Sequence, residues 1–266
     1  MVYDETLRGH AGEVHERVWE HDEPVRVAIV VHGYGEHIGR YDHVARALGE
    51  RGAVVWGLDH MGHGRSDGDR ALIPDFDLVV DDLRDLVIRA RDAYPALPVA
   101  MVAHSMGGMV ASLYAERFPG ELSGLVLSAP LIGTNAAGAL LALDEIPDLP
   151  IDTEVLSRDP AEQAAYADDP LVYHGPFKRP TLAAMARAFL EIALDADRVT
   201  GPVLWQHGTD DRLVPLEDSR RGIRLFRNAQ VEERHYPGAR HEIFNETNRD
   251  EVLADTVEFV DRVTAR

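Results

Sequence analysis

The chain has 266 residues, 45% of them hydrophobic, no cysteine, and 27 Lys and Arg against 46 Asp and Glu, a formal charge of −19. That length fits one large domain, or one domain carrying an insertion, and is enough to bury a full core. The acidic balance argues against polyanionic partners such as nucleic acid or an anionic bilayer, and the missing thiols exclude disulfides, thiolate metal sites and a cysteine nucleophile.

In chain order, MVYDETLRGHAGEVHERVWEH opens the sequence as a polar, acidic stretch without the apolar core of a signal peptide. No later stretch has the uninterrupted apolar length of a membrane span, so the expectation is a cytoplasmic protein with at most transient contact with lipid aggregates. Val25–Val31 (VRVAIVV) reads as a buried parallel strand ending in His32-Gly33. Tyr41–Arg51 has helical spacing up to Gly52, Ala53–Leu58 is the next strand, and the glycine-rich loop DHMGHGRSDG follows. Asp75–Tyr94 is an amphipathic helix stopped by Pro95. Then come a strand from Val99, a helix to Phe118, and the strands Gly124–Ser128, Pro202–Gln206 and Ala229–Tyr236, with a last helix over about Arg249 to Val263. Alternating strands and helices imply an α/β fold, a mostly parallel sheet with helices on both faces.

Between Leu131 and Thr200 this rhythm breaks, leaving helical pieces at Ala136–Leu143 and Thr181–Leu194 and no convincing strand. A structureless loop of that length is improbable in a compact domain. Residues 131–200 are therefore expected to form an inserted helical cap on a core made of residues 1–130 and 201–266.

The stretch VAMVAHSMGGMV puts Ser105 where a buried strand gives way to a helix. Ala103 to Gly107 nearly fits G-x-S-x-G, the nucleophile elbow, whose sharp turn needs small residues on both sides of the serine. Gly107 meets that need, and Ala103 adds one methyl group. Taken alone, Ser105 could be an ordinary helix N-cap.

A serine nucleophile needs a base and a carboxylate that orients the base, in the chain order Ser, Asp or Glu, His. After PVLWQ comes HGTDDRLVP with Asp210 and Asp211, and after the last strand comes PGARHEIFNE with His241. Both loops follow strand ends, on the edge where open α/β sheets hold their sites. His207 and His235 are alternative bases, but the first precedes the acidic loop and the second lies inside a strand pattern. Oxyanion donors are expected at the backbone N–H groups of Met106, after the nucleophile, and of Tyr34, after an early strand.

HGYGEHIGRY, DHMGHGRSDG, AHSMGG, GTDDRLVP and HEIFNE, in this order and spacing, resemble the monoacylglycerol lipase group of the α/β-hydrolase superfamily, of the serine aminopeptidase S33 or hydrolase-4 type. The resemblance spans about Val25 to Val263 and is weakest in the expected cap. It implies an α/β-hydrolase fold and a triad of Ser105, Asp211 and His241, with Asp211 preferred because the family's acid precedes x-x-V-P. It also implies Tyr34 and Met106 as oxyanion donors, and Glu36 and Arg40 near the polar end of the pocket, where an i,i+4 surface ion pair explains them equally well. His104 is grouped with the pocket, and Leu140, Leu141, Met185, Phe189 and Leu190 are candidates for an acyl channel. The implied substrate is a monoacylglycerol or another small single-chain ester, with lysophospholipids, thioesters and simple esters as alternatives, and no metal or organic cofactor.

Three rival readings are weaker. Gly33, Gly35, Gly39 and Asp59 imitate a dinucleotide fingerprint, but with the spacing G-x-G-x-x-x-G. Asp59, His60 and His63 suggest zinc, but no separate third histidine cluster accompanies them. A catalytically dead hydrolase fold serving as a scaffold is disfavoured because every expected catalytic residue is present.

Overall fold

A computed structural model describes residues 1–133, 136–148 and 150–265. Its elements in order are β1 (Val2–Gly9), β2 (Gly12–Trp19), β3 (Arg26–Val31), α1 (Asp42–Gly49), β4 (Ala53–Leu58), α2 (Phe76–Ala93), β5 (Val99–His104), α3 (Met106–Arg117) and β6 (Gly124–Ser128). They continue with α4 (Ala136–Leu141), α5 (Pro160–Asp168), α6 (Arg179–Asp195), β7 (Gly201–Gly208), α7 (Leu216–Ile223), β8 (Ala229–Tyr236) and α8 (Arg249–Val263).

The strands form one eight-stranded sheet in the order β1-β2-β4-β3-β5-β6-β7-β8. The pairs from β4 through β8 are all parallel, while β1 and β2 run antiparallel at one edge. The central strands are apolar on both faces because helices cover both. In β3, Val27, Ile29 and Val31 pack on the side of α2 and α3, and Ala28 and Val30 pack on the side of α1 and α8.

The N-terminal hairpin has no counterpart in the sequence reading. In β2, His15 and Glu16 are buried beside Val14 and Val18, so charged residues interrupt the apolar signal, and pairing with β4 makes the strand. The turn Gly9-His10-Ala11-Gly12 was its one local sign.

Between β6 and β7 the described residues carry helices and turns. The piece expected at Ala136–Leu143 ends at Leu141, α6 is longer than expected, and α5 joins them. Asp159 caps α5 by accepting from Ala161 N–H, with Pro160 in the first turn. Residues 134, 135 and 149 of the span 131–200 lie outside the described residues.

Candidate active site

The turn between β5 and α3 bends sharply at Ser105, which takes φ 53° and ψ −118°. A non-glycine residue there is strained, and such strain persists only where the surroundings impose it. Ser105 N–H donates to Ser128 O of the neighbouring strand, and Leu131 N–H and Gly108 N–H donate to Ser105 O. A Cβ on Gly107 would lie 2.4 Å from Val31 O and 2.5 Å from His32 O, so only glycine lets α3 pass this close to β3. Ser105 stands at the N-cap position of α3, yet its side chain makes no capping hydrogen bond. The hydroxyl turns instead toward His241.

The Ser105 Oγ and His241 Nε2 atoms are 2.9 Å apart, and His241 Nδ1 lies 2.8 Å from Asp211 Oδ2. A ring nitrogen facing a carboxylate carries the proton, so Nδ1–H donates to Asp211 and Nε2 is left to accept from the serine hydroxyl. All three residues are buried at 8% exposure or less. Burial by itself lowers the pKa of His241, but the adjacent Asp211 carboxylate, with the charges of Glu242 and Glu36, raises it, and the net shift is upward.

Burial alone would push Asp211 up. His241 and the hydrogen bond from His207 reverse that and hold the carboxyl well below its usual range. Asp211 Oδ1 also accepts from Leu213 N–H at 2.9 Å and Val214 N–H at 2.8 Å. Asp210, by contrast, turns outward beside Arg212.

His207 and His235 both lie apart from the serine. His207 Nδ1 accepts from Trp205 Nε1–H at 3.2 Å, which leaves Nε2–H facing Val214 O at 2.9 Å and Asp211 Oδ2 at 3.1 Å. It supports the acid rather than competing as the base. His235 packs edge-on against Trp205, its ring centroid 4.8 Å away.

Met106 begins α3, where backbone N–H groups have no partner within the helix, and Tyr34 N–H lies in the loop after β3. Neither group meets an acceptor among the described residues. His104 sits beneath His241 with ring centroids 4.8 Å apart. Burial, and then the charge of His241, push its pKa down to about 3, so His104 stays neutral, and it is His241 that faces the serine hydroxyl.

A cavity opens over the serine, with about 810 Å³ of empty space, its mouth included. Tyr34, Glu36, His104, Leu140, Met185 and Phe189 all line it, with further apolar wall from Leu156, Phe177 and Leu213. Two expected channel residues do not. Leu141 lies against the core outside this wall, and Leu190 is 67% exposed because it stands on the outer face of α6, one position past Phe189.

Arg40 corrects one part of an expectation, the surface location of its pair with Glu36. It lies just behind the polar end of the cavity, as the resemblance implies, and its i,i+4 pair with Glu36 forms but is buried rather than on the surface. Its guanidinium reaches Glu36 at 2.6 Å and grips Glu242 with two hydrogen bonds, at 2.8 and 2.7 Å. Glu242 lines the cavity; it stands in the HEIFNE motif, where the sequence reading gave it no role. Burial raises its pKa, but Arg40 overrides this and brings it to about 2. Glu36, equally buried and beside the charged Glu242, is pushed up. Its Oε1 accepts from Gly33 N–H and from Tyr41 O–H, both at 2.7 Å, which ties the loop after β3 to α1.

In the loop Asp59–Gly68, Asp59 accepts from Ile38 N–H and Arg65 N–H, and His60 and His63 are turned to the backbone oxygens of His32 and Met61. Among the described residues no group of three or more His, Asp or Glu is arranged to hold a metal ion.

A serine raised on a strained strand-to-helix turn at the carboxyl edge of a mostly parallel sheet defines the α/β-hydrolase fold. Residues 22–248 match the Hydrolase_4 family, described as serine aminopeptidase, S33. The chain is 39% identical to a monoacylglycerol lipase of Mycolicibacterium smegmatis, covering 91% of each sequence. It is 33% identical to human monoglyceride lipase, covering 84% of this chain and 77% of that one. A crystal structure of Paleococcus ferrophilus monoacylglycerol lipase superposes with a TM-score of 0.78 at 28% identity, covering 94% of this chain and 99% of the other. The chain belongs to the Hydrolase_4 family, in the monoacylglycerol lipase group of the α/β-hydrolase superfamily.

Proposed function

We propose that this protein is a serine hydrolase that cleaves monoacylglycerol to a fatty acid and glycerol. The observation that carries the reading is the hydrogen-bonded line from Ser105 Oγ through His241 to Asp211, with spacings of 2.9 and 2.8 Å, at the foot of an apolar cavity. The names of the relatives support the substrate class.

In this mechanism His241 Nε2 takes the Ser105 proton as the oxygen attacks the ester carbonyl, and Asp211 stabilises the imidazolium that forms. The N–H groups of Tyr34 and Met106 bind the oxyanion. His241 then protonates the departing glycerol oxygen, leaving an acyl group on Ser105. A water deprotonated by the same nitrogen attacks the acyl-enzyme, and the fatty acid leaves as Ser105 regains its proton. Residues 131–200 act as the cap that supplies much of the apolar acyl wall, over a core of residues 1–130 and 201–266.

Glu36, His104 and Glu242 form the polar end of the cavity, a chemistry suited to the hydroxyl groups of glycerol. No described helix is long and apolar enough to cross a membrane. A fluorophosphonate probe should label the wild type at Ser105 and leave Ser105→Ala unlabelled, with kcat for monoacylglycerol falling about 10⁶-fold in that variant. Labelling elsewhere, or substantial turnover by Ser105→Ala, would remove the nucleophile assignment. A kcat/KM series over monoacylglycerols, lysophospholipids and p-nitrophenyl esters tests the substrate: a preference for either of the last two overturns the monoacylglycerol assignment.

A further inference from the structure

The loop after β3 that carries Tyr34 N–H has little rigidity of its own. Gly33 and Gly35 flank Tyr34, and Gly35 takes φ +78°, a region open mainly to glycine. An oxyanion donor nevertheless has to be aimed, since a hydrogen bond weakens steeply once it is misaligned. From the core side the loop is held by Glu36 Oε1, which accepts from Gly33 N–H, and by Asp59 Oδ1, which accepts from Ile38 N–H at 2.7 Å.

From the other side it is held by residues 169–177, the stretch between α5 and α6, through three contacts of different kinds. Tyr173 N–H donates to Gly35 O at 2.7 Å. The Tyr34 ring stacks on Phe177 with centroids 4.7 Å apart and planes 16° from parallel. His37 Nε2 meets Asp169 Oδ2 at 2.8 Å. His37 Nδ1 accepts from Gly39 N–H at 3.2 Å, so Nε2 carries the proton and donates to Asp169 even when the imidazole is neutral. Asp169 Oδ1 in turn accepts from Leu171 N–H at 2.8 Å, which fixes the carboxylate.

We propose that residues 169–177 are a positioning element of the oxyanion hole, in which Asp169, through His37, and Phe177, through the Tyr34 ring, aim the Tyr34 N–H. The inference rests on the ester-hydrolase reading above. It gives this part of the cap a share in the chemical step, beyond covering the substrate. Asp169 and His37 touch no reacting atom, so their effect falls on the transition state, where the oxyanion is fully formed, more than on ground-state binding.

The test uses p-nitrophenyl butyrate, whose short acyl chain depends little on the apolar wall, and a trifluoromethyl ketone, which binds as a tetrahedral oxyanion. Asp169→Ala should lower kcat about tenfold with KM within about twofold, less than the roughly 10²-fold cost of deleting an oxyanion donor outright. Affinity for the ketone should fall by the same factor. Asp169→Asn, which keeps an acceptor oxygen, should recover most of both.

Phe177→Leu is the independent variant should Asp169→Ala not fold; a loss of about threefold in kcat, matched in ketone affinity, is expected. An unchanged kcat in either folded variant overturns the proposal, as does a change confined to KM or a loss of kcat without the matching loss of ketone affinity. A wild type that neither takes the fluorophosphonate label nor hydrolyses the ester overturns the hydrolase reading itself, a failure separate from that of the variants.

Discussion

At the carboxyl edge of the sheet, Ser105, Asp211 and His241 follow β5, β7 and β8 and are each held by several backbone and side-chain bonds. Facing them, Leu140 and Phe189 come from α4 and α6, are partly exposed, and rely on packing alone. A hydrogen-bonded group tolerates little displacement before its bond fails, whereas an apolar wall loses contact gradually. Changes at the sheet edge should therefore act on the chemical step, and changes in the wall on the choice of chain length.

The largest effect that would expose this difference is Asp211→Asn, expected to cost about 10⁴-fold in kcat, as an amide there favours the wrong histidine tautomer. Asp210→Asn, on a side chain that points outward, should stay within about twofold, in the range of other exposed substitutions. Steady-state kinetics of the two variants would break the comparison if the order were reversed.

The pH profile comes next. His241 must be neutral to accept a proton, so kcat/KM should fall as pH drops through its pKa, which lies above the ordinary imidazole value of about 6.5. Removing the Asp211 charge leaves burial as the dominant influence, so the same limb should move to lower pH in Asp211→Asn. A limb that stays in place would show that Asp211 is not what raises His241.

Phe189→Ala should raise KM for a long-chain monoacylglycerol about tenfold while leaving p-nitrophenyl acetate nearly unaffected, since burial of apolar surface contributes only where the chain reaches. Equal losses on both substrates would place Phe189 in the chemistry and erase the distinction. The smallest effect belongs to its neighbour: Leu190→Ala, on the solvent side of α6, should alter neither kcat nor KM by more than about twofold.

The N-terminal hairpin marks where pattern reading stops. Its inner strand buries His15 and Glu16, and His15 Nδ1 lies 3.1 Å from Asp59, a carboxylate 44 positions along the chain. Neither residue looks like strand core until β4 lies beside it. The central strands were legible because both their faces are buried, which makes apolarity continuous in the sequence.

The sequence by itself determined the strand–helix order, the serine turn with its obligatory glycine, and the order of serine, acid and histidine. Each of these is a short-range demand of backbone geometry, or a residue type required at a strand end. Asp211 was chosen over its identical neighbour through the family resemblance, and its place beside His241 agrees. Only the tertiary structure decided that His207 supports that acid and that Arg40 bridges Glu36 to Glu242. It likewise decided that Asp169 reaches back 132 positions to His37. Such pairings leave no periodic trace, because the direction of a side chain depends on how the sheet twists and where each loop returns, and no local pattern carries that information.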